Sequence, residues 1–402
     1  MLTPKQLRDI VETMQPILDE LNGWITRDIV RRVMARLGRG EALELTNTDI
    51  WQAQVYADIG GHMEALQRQL VAFTRATEQE VAAIFREAGL TSYKVDAMVL
   101  QSGSVDVPPL PQSRRVLQVL ADTYRRTNSD LYNFTRTTAM ESQKRLIKAL
   151  DEAHLKVMSG AQSYTAAVKD AVEALAQGQA RVAYPTGHTD TLETAVLRAV
   201  RTGTAQASGN MSLELMAEHD WDIVLTSAHI GARYGDGGEN PGNHYWWQGR
   251  FFSRTGRTPG LPLFVESTGY GTGEGLCGWN CRHSFGPGDG KHNPWKHFDS
   301  DENKRAYDLS QQQRKMEAAI RRSKHKLLTY REAIDNCQDP ATRQQLQSVY
   351  DAEALKLQKQ NQAYGEFCDD NDLKRLNDRL AVAQWNRSQA AKATAAAKRA
   401  KP

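Results

Sequence analysis

Residues 114–158, RRVLQVLADTYRRTNSDLYNFTRTTAMESQKRLIKALDEAHLKVM, decide the fold class. Val116, Val119, Leu120, Tyr124, Leu131, Phe134, Met140, Leu146, Leu150 and Leu155 fall at helical spacing, and neither proline nor glycine interrupts them. This periodicity predicts an amphipathic helix, with Asn128 as the place where a break would fall. A run this long outgrows one small core and suits a bundle or a strut, because helices in proteins are held mainly by packing of their apolar face.

Working outward, the three prolines of SGSVDVPPLPQS (102–113) predict a linker or extended strap between this segment and a helical block at 1–101. That block opens with Thr3, Pro4 and Gln6, a capping box with proline at the first helical position. Pro16 restarts the helix, and a stripe runs through Ile17, Leu18, Leu21, Trp24, Ile25, Ile29, Val30, Val33 and Met34 to Gly38, beside Arg36 and Arg39. The stripe reads as an internal core face or, alternatively, as a surface that docks another subunit. Thr77 and Glu80 predict another helix start, and Gly89 its end.

Downstream, the block 114–219 holds a helix from Thr165 to Leu175 closed by Gly178, a strand and turn in ARVAYPTG (180–187), and a helix from Leu192 to Met216. DIVLT (222–226) reads as a strand entering a small α+β module at 220–290. Residues 291–385 form a polar helical region: Asp299 and Glu302 cap its first helix, Pro340 interrupts it, and a third helix is expected from Leu373. The basic, alanine- and lysine-rich tail at 386–402 is expected to fray. The class is therefore mainly α, with elongated helical N-terminal blocks, the small module, and a polar helical C-terminal region.

At 402 residues the chain can bury a sizeable core without disulfides, and four cysteines in such a length favour a reducing compartment. A net charge of +3 is too mild to argue nucleic-acid binding for the whole chain. Neither a signal peptide nor an apolar run of membrane-spanning length is seen, so no membrane segment is expected. Local basic clusters at Arg314, Lys315, Arg321, Arg322, Lys324 and Lys326, and at Lys392, Lys398, Arg399 and Lys401, leave phosphate contact with packaged double-stranded DNA as an alternative to plain solvated helix faces.

Thr226–Phe285, TSAHIGARYGDGGENPGNHYWWQGRFFSRTGRTPGLPLFVESTGYGTGEGLCGWNCRHSF, breaks the helical pattern. It gathers three of the eight tryptophans, two of the four cysteines and three histidines among many glycines. Cys277, Cys281 and His283, joined by His229 and His244, are ligand types that zinc prefers. Against that, Cys-x3-Cys is not the usual knuckle spacing, and buried thiols with hydrogen-bonded histidines account for the same residues. A hydrolytic reading would make Cys281 a nucleophile with His229 or His244 as base, Arg233 and Arg282 supporting phosphodiester chemistry. No thiol-enzyme signature or carboxylate cluster backs a nuclease or transferase, and GTGEG lacks the lysine of a phosphate-binding loop. The expectation is a module that is no enzyme and holds no cofactor, with zinc as the alternative. Trp246, Trp247, Phe251, Phe252, Phe264, Trp279 and Phe285 would build its core, and Arg233, Arg250 and Arg282 would tie its loops.

SAHIGAR (227–233), HYWWQGR (244–250), STGYGTGEGLCGWNCRHSF (267–285) and YDLSQQQRKMEAAIRRSKHK (307–326) resemble the phage minor capsid protein 2 family of tailed-phage and prophage head modules, itself similar in outline to Mu F-like head-morphogenesis proteins. The segments 133–168 and 183–209 carry the same likeness, which extends to about residue 365. The shared motif residues are His229, Gly231, Ala232, Arg233, His244, Trp247, Gln248, Gly249, Cys277, Gly278, Asn280, Cys281, Arg282 and His283. One departure is the insertion YGDGGENPGN (234–243) between Arg233 and His244, expected as a surface loop, which removes the family spacing as an argument for a tight geometry shared by His229 and His244. The resemblance implies a low-copy virion component of the phage head, assembled in the host cytoplasm near the portal vertex, with portal protein and major capsid protein as partners.

Overall fold

The computed structural model describes residues 1–38 and 48–401; Arg39 lies outside them. Helix makes up 69% and strand 4%, which settles the class as mainly α with a small α+β module. In chain order the elements are α1 (Pro4–Glu12), α2 (Gln15–Leu37), α3 (Thr48–Ser102), α4 (Arg114–Met158), α5 (Tyr164–Gln177), β1 (Arg181–Ala183), β2 (Thr189–Thr191), α6 (Leu192–Glu218), β3 (Ile223–Thr226), α7 (His244–Trp247), β4 (Phe251–Ser253), α8 (Phe264–Thr268), β5 (Phe285–Pro287), α9 (Ser300–Asn336), α10 (Pro340–Asp370) and α11 (Arg387–Arg399). No described helix is long and apolar enough to cross a membrane.

The capping box of α1 is formed: Gln6 N–H donates to Thr3 Oγ1 at 3.2 Å, and Thr3 N–H donates to Gln6 Oε1 at 2.8 Å. α4 runs unbroken through Asn128. α3 corrects the expected start at Thr77 and end at Gly89, because both lie inside one helix. Its buried Leu66, Leu70, Phe73, Val81, Ile84, Phe85 and Ala88 carry the helical period straight across the supposed boundary. Gly89 serves packing instead, since a Cβ there would stand 2.9 Å from Leu120 Cδ2 and 3.6 Å from Met211 Sδ.

The chain divides into two compact units. The first comprises residues 1–15, 75–133 and 194–311. Its sheet has the order β4-β3-β5 with both pairings antiparallel, and Thr226 pairs with Phe285. Leu2 and Leu7, Ala88 of α3, Ala205 and Met216 of α6, and Trp247, Phe252, Phe264, Leu276 and Phe285 form one buried cluster. Fully burying each of the three phenylalanines contributes about 1.5–3 kcal/mol. The proline-rich stretch packs within this unit: Tyr93 Oη donates to Pro108 O at 2.6 Å and pairs with Ser113 Oγ at 2.7 Å, while Val107 and Leu110 are buried.

The second unit comprises 16–74, 134–193 and 312–402. In α2 the stripe Leu18, Leu21, Ile25, Ile29, Val30, Val33 and Met34 is buried within the chain, which fits the internal core face and not the alternative of a docking surface. β1 and β2 form an antiparallel hairpin. The tail also differs from expectation. No helix starts at Leu373; instead α11 begins at Arg387, capped by Asn386, whose side chain accepts from Gln389 N at 3.1 Å. Ala393, Ala396 and Ala397 are buried and Arg399 grips Asp351 at 2.7 and 3.0 Å, with α11 packed on α10. Alanine has the highest helix propensity and lets backbones approach closely, so a low-hydropathy segment folds here.

Candidate functional site

β3 and β5 bring the site together. Beyond the last ladder pair, Ser227 N–H donates to Ser284 O at 2.8 Å, and Ser284 N–H donates to Ser227 Oγ at 2.9 Å. This extension sets His229 beside His283, their rings stacked with centroids 4.3 Å apart. His244 arrives from the start of α7, where the Asn243 side chain accepts from Trp246 N at 3.2 Å. Tyr245 N–H donates to Arg233 O at 3.0 Å, closing the base of the inserted loop 234–243. With the insertion in place, His229 and His244 both lie against His283, the second at 5.5 Å between ring centroids.

The cysteines come from a tight loop. Leu276 N–H donates to Thr268 O at 2.9 Å, Trp279 N–H to Gly273 O at 2.7 Å and Cys281 N–H to Gly278 O at 3.2 Å. Backbone passes so close that a Cβ on Gly275 would lie 2.2 Å from Gly269 O, and one on Gly278 2.4 Å from Gly273 O. Cys277 and Asn280 hold left-handed φ values of 59° and 57°. Such a conformation costs a non-glycine residue on the order of 1 kcal/mol or more and persists only where surrounding contacts impose it.

His244, Cys281 and His283 offer three ligand atoms within 4.8 Å of one another, all buried. Cys277 is buried too, its Sγ 3.7 Å from the His283 carbonyl that the Cys281 Sγ meets at 3.8 Å. His229, half-buried, adds its ring to the stack and is not one of the three.

The hydrogen bonds fix the tautomers. His244 Nε2 lies 2.8 Å from Glu274 O, which can only accept, so Nε2 carries the proton and Nδ1 the lone pair. Gln248 Oε1 accepts from His229 N–H at 3.0 Å, and His283 Nε2 lies 3.1 Å from the same oxygen, so it too must donate. That leaves His283 Nδ1 as a bare nitrogen, 3.7 Å from Cys281 Sγ. Burial pushes His244 down to about 4 against the opposing Glu274 bond, and takes His283 well below the usual histidine range. Burial likewise raises both thiols. Two buried neutral imidazoles and a buried thiol suit metal ligation or packing, whereas a nucleophilic cysteine needs the opposite shift and access.

The other motif residues brace this cluster. Arg233 donates to Glu274 O at 3.2 Å and to Trp279 O at 2.8 Å, so it ties the cysteine loop as expected. Ala232 exchanges two bonds of 2.9 Å with the Asn303 side chain of α9. Trp247 is fully buried and donates from Nε1 to Pro241 O at 3.0 Å. Gly231 and Gly249 make left-handed turns, and Arg282 is half-buried. The Arg250 guanidinium lies over the half-buried Trp246, 5.8 Å from its ring centroid. Trp279 departs from the expected core, being 59% exposed, because its indole lies over Gly273 on the outer side of the loop.

Sequence reasoning missed two polar clusters. The Asp222 carboxylate accepts from Ser253 Oγ at 2.5 Å, Thr255 N at 2.8 Å, Thr255 Oγ1 at 2.6 Å and Thr258 Oγ1 at 2.6 Å. Burial works to raise it, but these donors outweigh burial and hold it well below the usual carboxylate range. In the second unit His62 Nδ1 meets Asp28 Oδ2 at 2.7 Å and its Nε2 meets Ser142 Oγ at 2.8 Å, the order of a Ser-His-Asp triad. His62 and Ser142 are 0% and 2% exposed, and each sits inside a helix, α3 and α4, so the trio pins helices and presents no nucleophile. Partners 34 and 80 positions apart left no local signal.

Of the basic residues read for DNA contact, Arg321 donates to Arg379 O at 2.8 Å and Glu193 Oε1 at 2.9 Å, and Lys324 donates to Leu380 O at 2.6 Å. Lys326 is half-buried, and Arg322 is exposed.

A family model described as phage minor capsid protein 2 matches residues 2–367. No curated protein matches the chain, and no solved structure does. The match takes in both compact units, including the Cys/His loop, and reaches into α10. The chain belongs to the phage minor capsid protein 2 family, structural components of the phage head.

Proposed function

We propose that the protein acts by docking, as a low-copy, non-enzymatic component near the portal vertex, assembled in the host cytoplasm with portal protein and major capsid protein as its partners. The observation that carries this reading is the extent of the family match, residues 2–367. What the family shares is thus nearly the whole folded body, not one module with a catalytic attachment. The burial of His244, Cys277, Cys281 and His283 supports the non-enzymatic part, since a turnover site needs a path for substrate. The DNA-contact reading has less behind it, because Arg321 and Lys324 spend their donors inside the protein. Co-expression of the full chain with the portal and major capsid proteins of the same phage tests the proposal. Co-purification with either through gel filtration is expected, and a chain that binds neither while remaining folded would refute it.

A further inference from the structure

We propose that His244, His283 and Cys281 bind a zinc(II) ion, with Cys277 as the fourth ligand, and that this ion is a structural element of the module. Three observations converge. The three ligand atoms lie within 4.8 Å of one another, all buried. Each histidine gives its Nε2 proton to a fixed acceptor, Glu274 O or Gln248 Oε1, and so keeps the Nδ1 lone pair free. That is the outer-shell arrangement that orients metal-ligating imidazoles and raises their basicity. Finally, the loop holds Cys277 in a left-handed conformation and brings both thiols to one carbonyl.

The donor set selects the ion. Nitrogen and sulfur ligands argue against magnesium and calcium, and thiolate with imidazole suits zinc. Tetrahedral zinc with bonds of about 2.0–2.3 Å holds ligand atoms roughly 3.3–3.8 Å apart; Cys281 Sγ and His283 Nδ1 already stand 3.7 Å apart, and no separation among the three exceeds 4.8 Å, so binding closes the widest gap by at most about 1 Å. Charge assigns the fourth position. One thiolate and two neutral imidazoles would leave a buried net positive charge, and a second thiolate cancels it. Each thiol gives its proton to solvent as the ion binds, so two protons are released per zinc. The His229 ring, stacked on His283, and the Trp247 ring, 4.9 Å from it, pack against the ligand imidazole.

The test uses the full-length chain purified without chelator. Elemental analysis is expected to give about one zinc per chain, as for a closed structural site. The cobalt(II)-exchanged protein should show thiolate-to-cobalt charge transfer in the near ultraviolet and the strong visible bands of a tetrahedral centre. Cys281→Ser should lose both. Gln248→Ala, which keeps every ligand, should weaken zinc about 10–100-fold, as outer-shell substitutions do. Cys277→Ser should weaken it at least about tenfold, because losing an atom bound to the ion costs more than losing a hydrogen bond to one of its ligands. A folded wild-type chain that carries no zinc and gives no cobalt bands overturns the proposal, leaving a Cys281 S–H bonded to His283 Nδ1. Unchanged metal content in a folded Cys281→Ser overturns it equally, and if that variant fails to fold the wild-type cobalt spectrum decides. Unchanged affinity in Cys277→Ser removes Cys277 from the ligand set.

Discussion

Two buried histidine clusters, one in each unit, use the same residue in opposite ways. In the second unit both ring nitrogens of His62 are occupied, by Asp28 and Ser142, and Asp28 is further held by Arg32 Nε at 2.7 Å. Burial works to raise Asp28, but the bonds from His62 and Arg32 outweigh it and keep the carboxyl below its usual range. That cluster is complete as it stands. In the first unit His244 and His283 each have Nε2 satisfied by an oxygen, which leaves Nδ1 to a neighbour of another kind, and for His283 that neighbour is the Cys281 thiol. The contrast teaches that burial of a histidine says little, whereas the count of its satisfied nitrogens separates a helix pin from a ligand set.

The largest expected effect comes from removing the metal. Anything that binds only the folded state stabilises it by mass action, about 4 kcal/mol at a thousandfold excess over Kd. A strong chelator should therefore lower the melting temperature of the wild type and leave Cys281→Ser unmoved. Equal melting with and without chelator would collapse the comparison.

Next in size, His62→Ala leaves Asp28 and Ser142 short of a partner inside the second unit. Removing one member of a buried charged network costs about 3–5 kcal/mol, toward the low end here because Arg32 remains. Zinc content should not change. A variant that loses zinc would show that the two clusters are not independent.

A further histidine, His325, sharpens the contrast through pH. His325 is pushed down to about 4 by burial and by Arg321, Arg27 and Lys324; Asp19 at 4.0 Å does not offset them. Its folded pKa lies below the unfolded value of 6.5, so the unfolded chain binds the extra proton first. Stability is full above pH 6.5 and is lost as pH falls toward 4, by on the order of 3 kcal/mol. Denaturant titrations across that window should show a shallower slope for His325→Leu. An identical slope would mean the group titrates normally.

The smallest effect lies outside both clusters. Asn386→Ala removes the cap of α11 and should cost about 1 kcal/mol, with zinc content unaltered. Hydrogen exchange in 387–399 should rise first; no change there would return the tail to the frayed state that its composition suggested.

Helical periodicity made α4, α5 and α6 legible in the sequence, because a 3.6-residue period survives without tertiary information. Thr77 and Gly89 misled since cap and breaker signals are local, while the apolar period from Leu66 to Ala88 that overrides them is longer. The tail misled because hydropathy does not register how closely alanine faces pack. The Cys/His residues were visible as a group, but their convergence was not. It depends on the β3–β5 register and on Tyr245 closing the inserted loop, both long-range contacts. Asp28, His62 and Ser142 carried no signal at all, each being an ordinary residue on its own helix.

Both clusters belong to a chain whose family builds phage heads, and its presence in the particle is the central claim. Quantitative mass spectrometry of purified phage heads tests this most directly. Peptides from both units should appear in intact, nuclease-treated heads at a small, fixed ratio to the major capsid protein. Heads that assemble and package without the chain, while it stays in the soluble lysate, would contradict it.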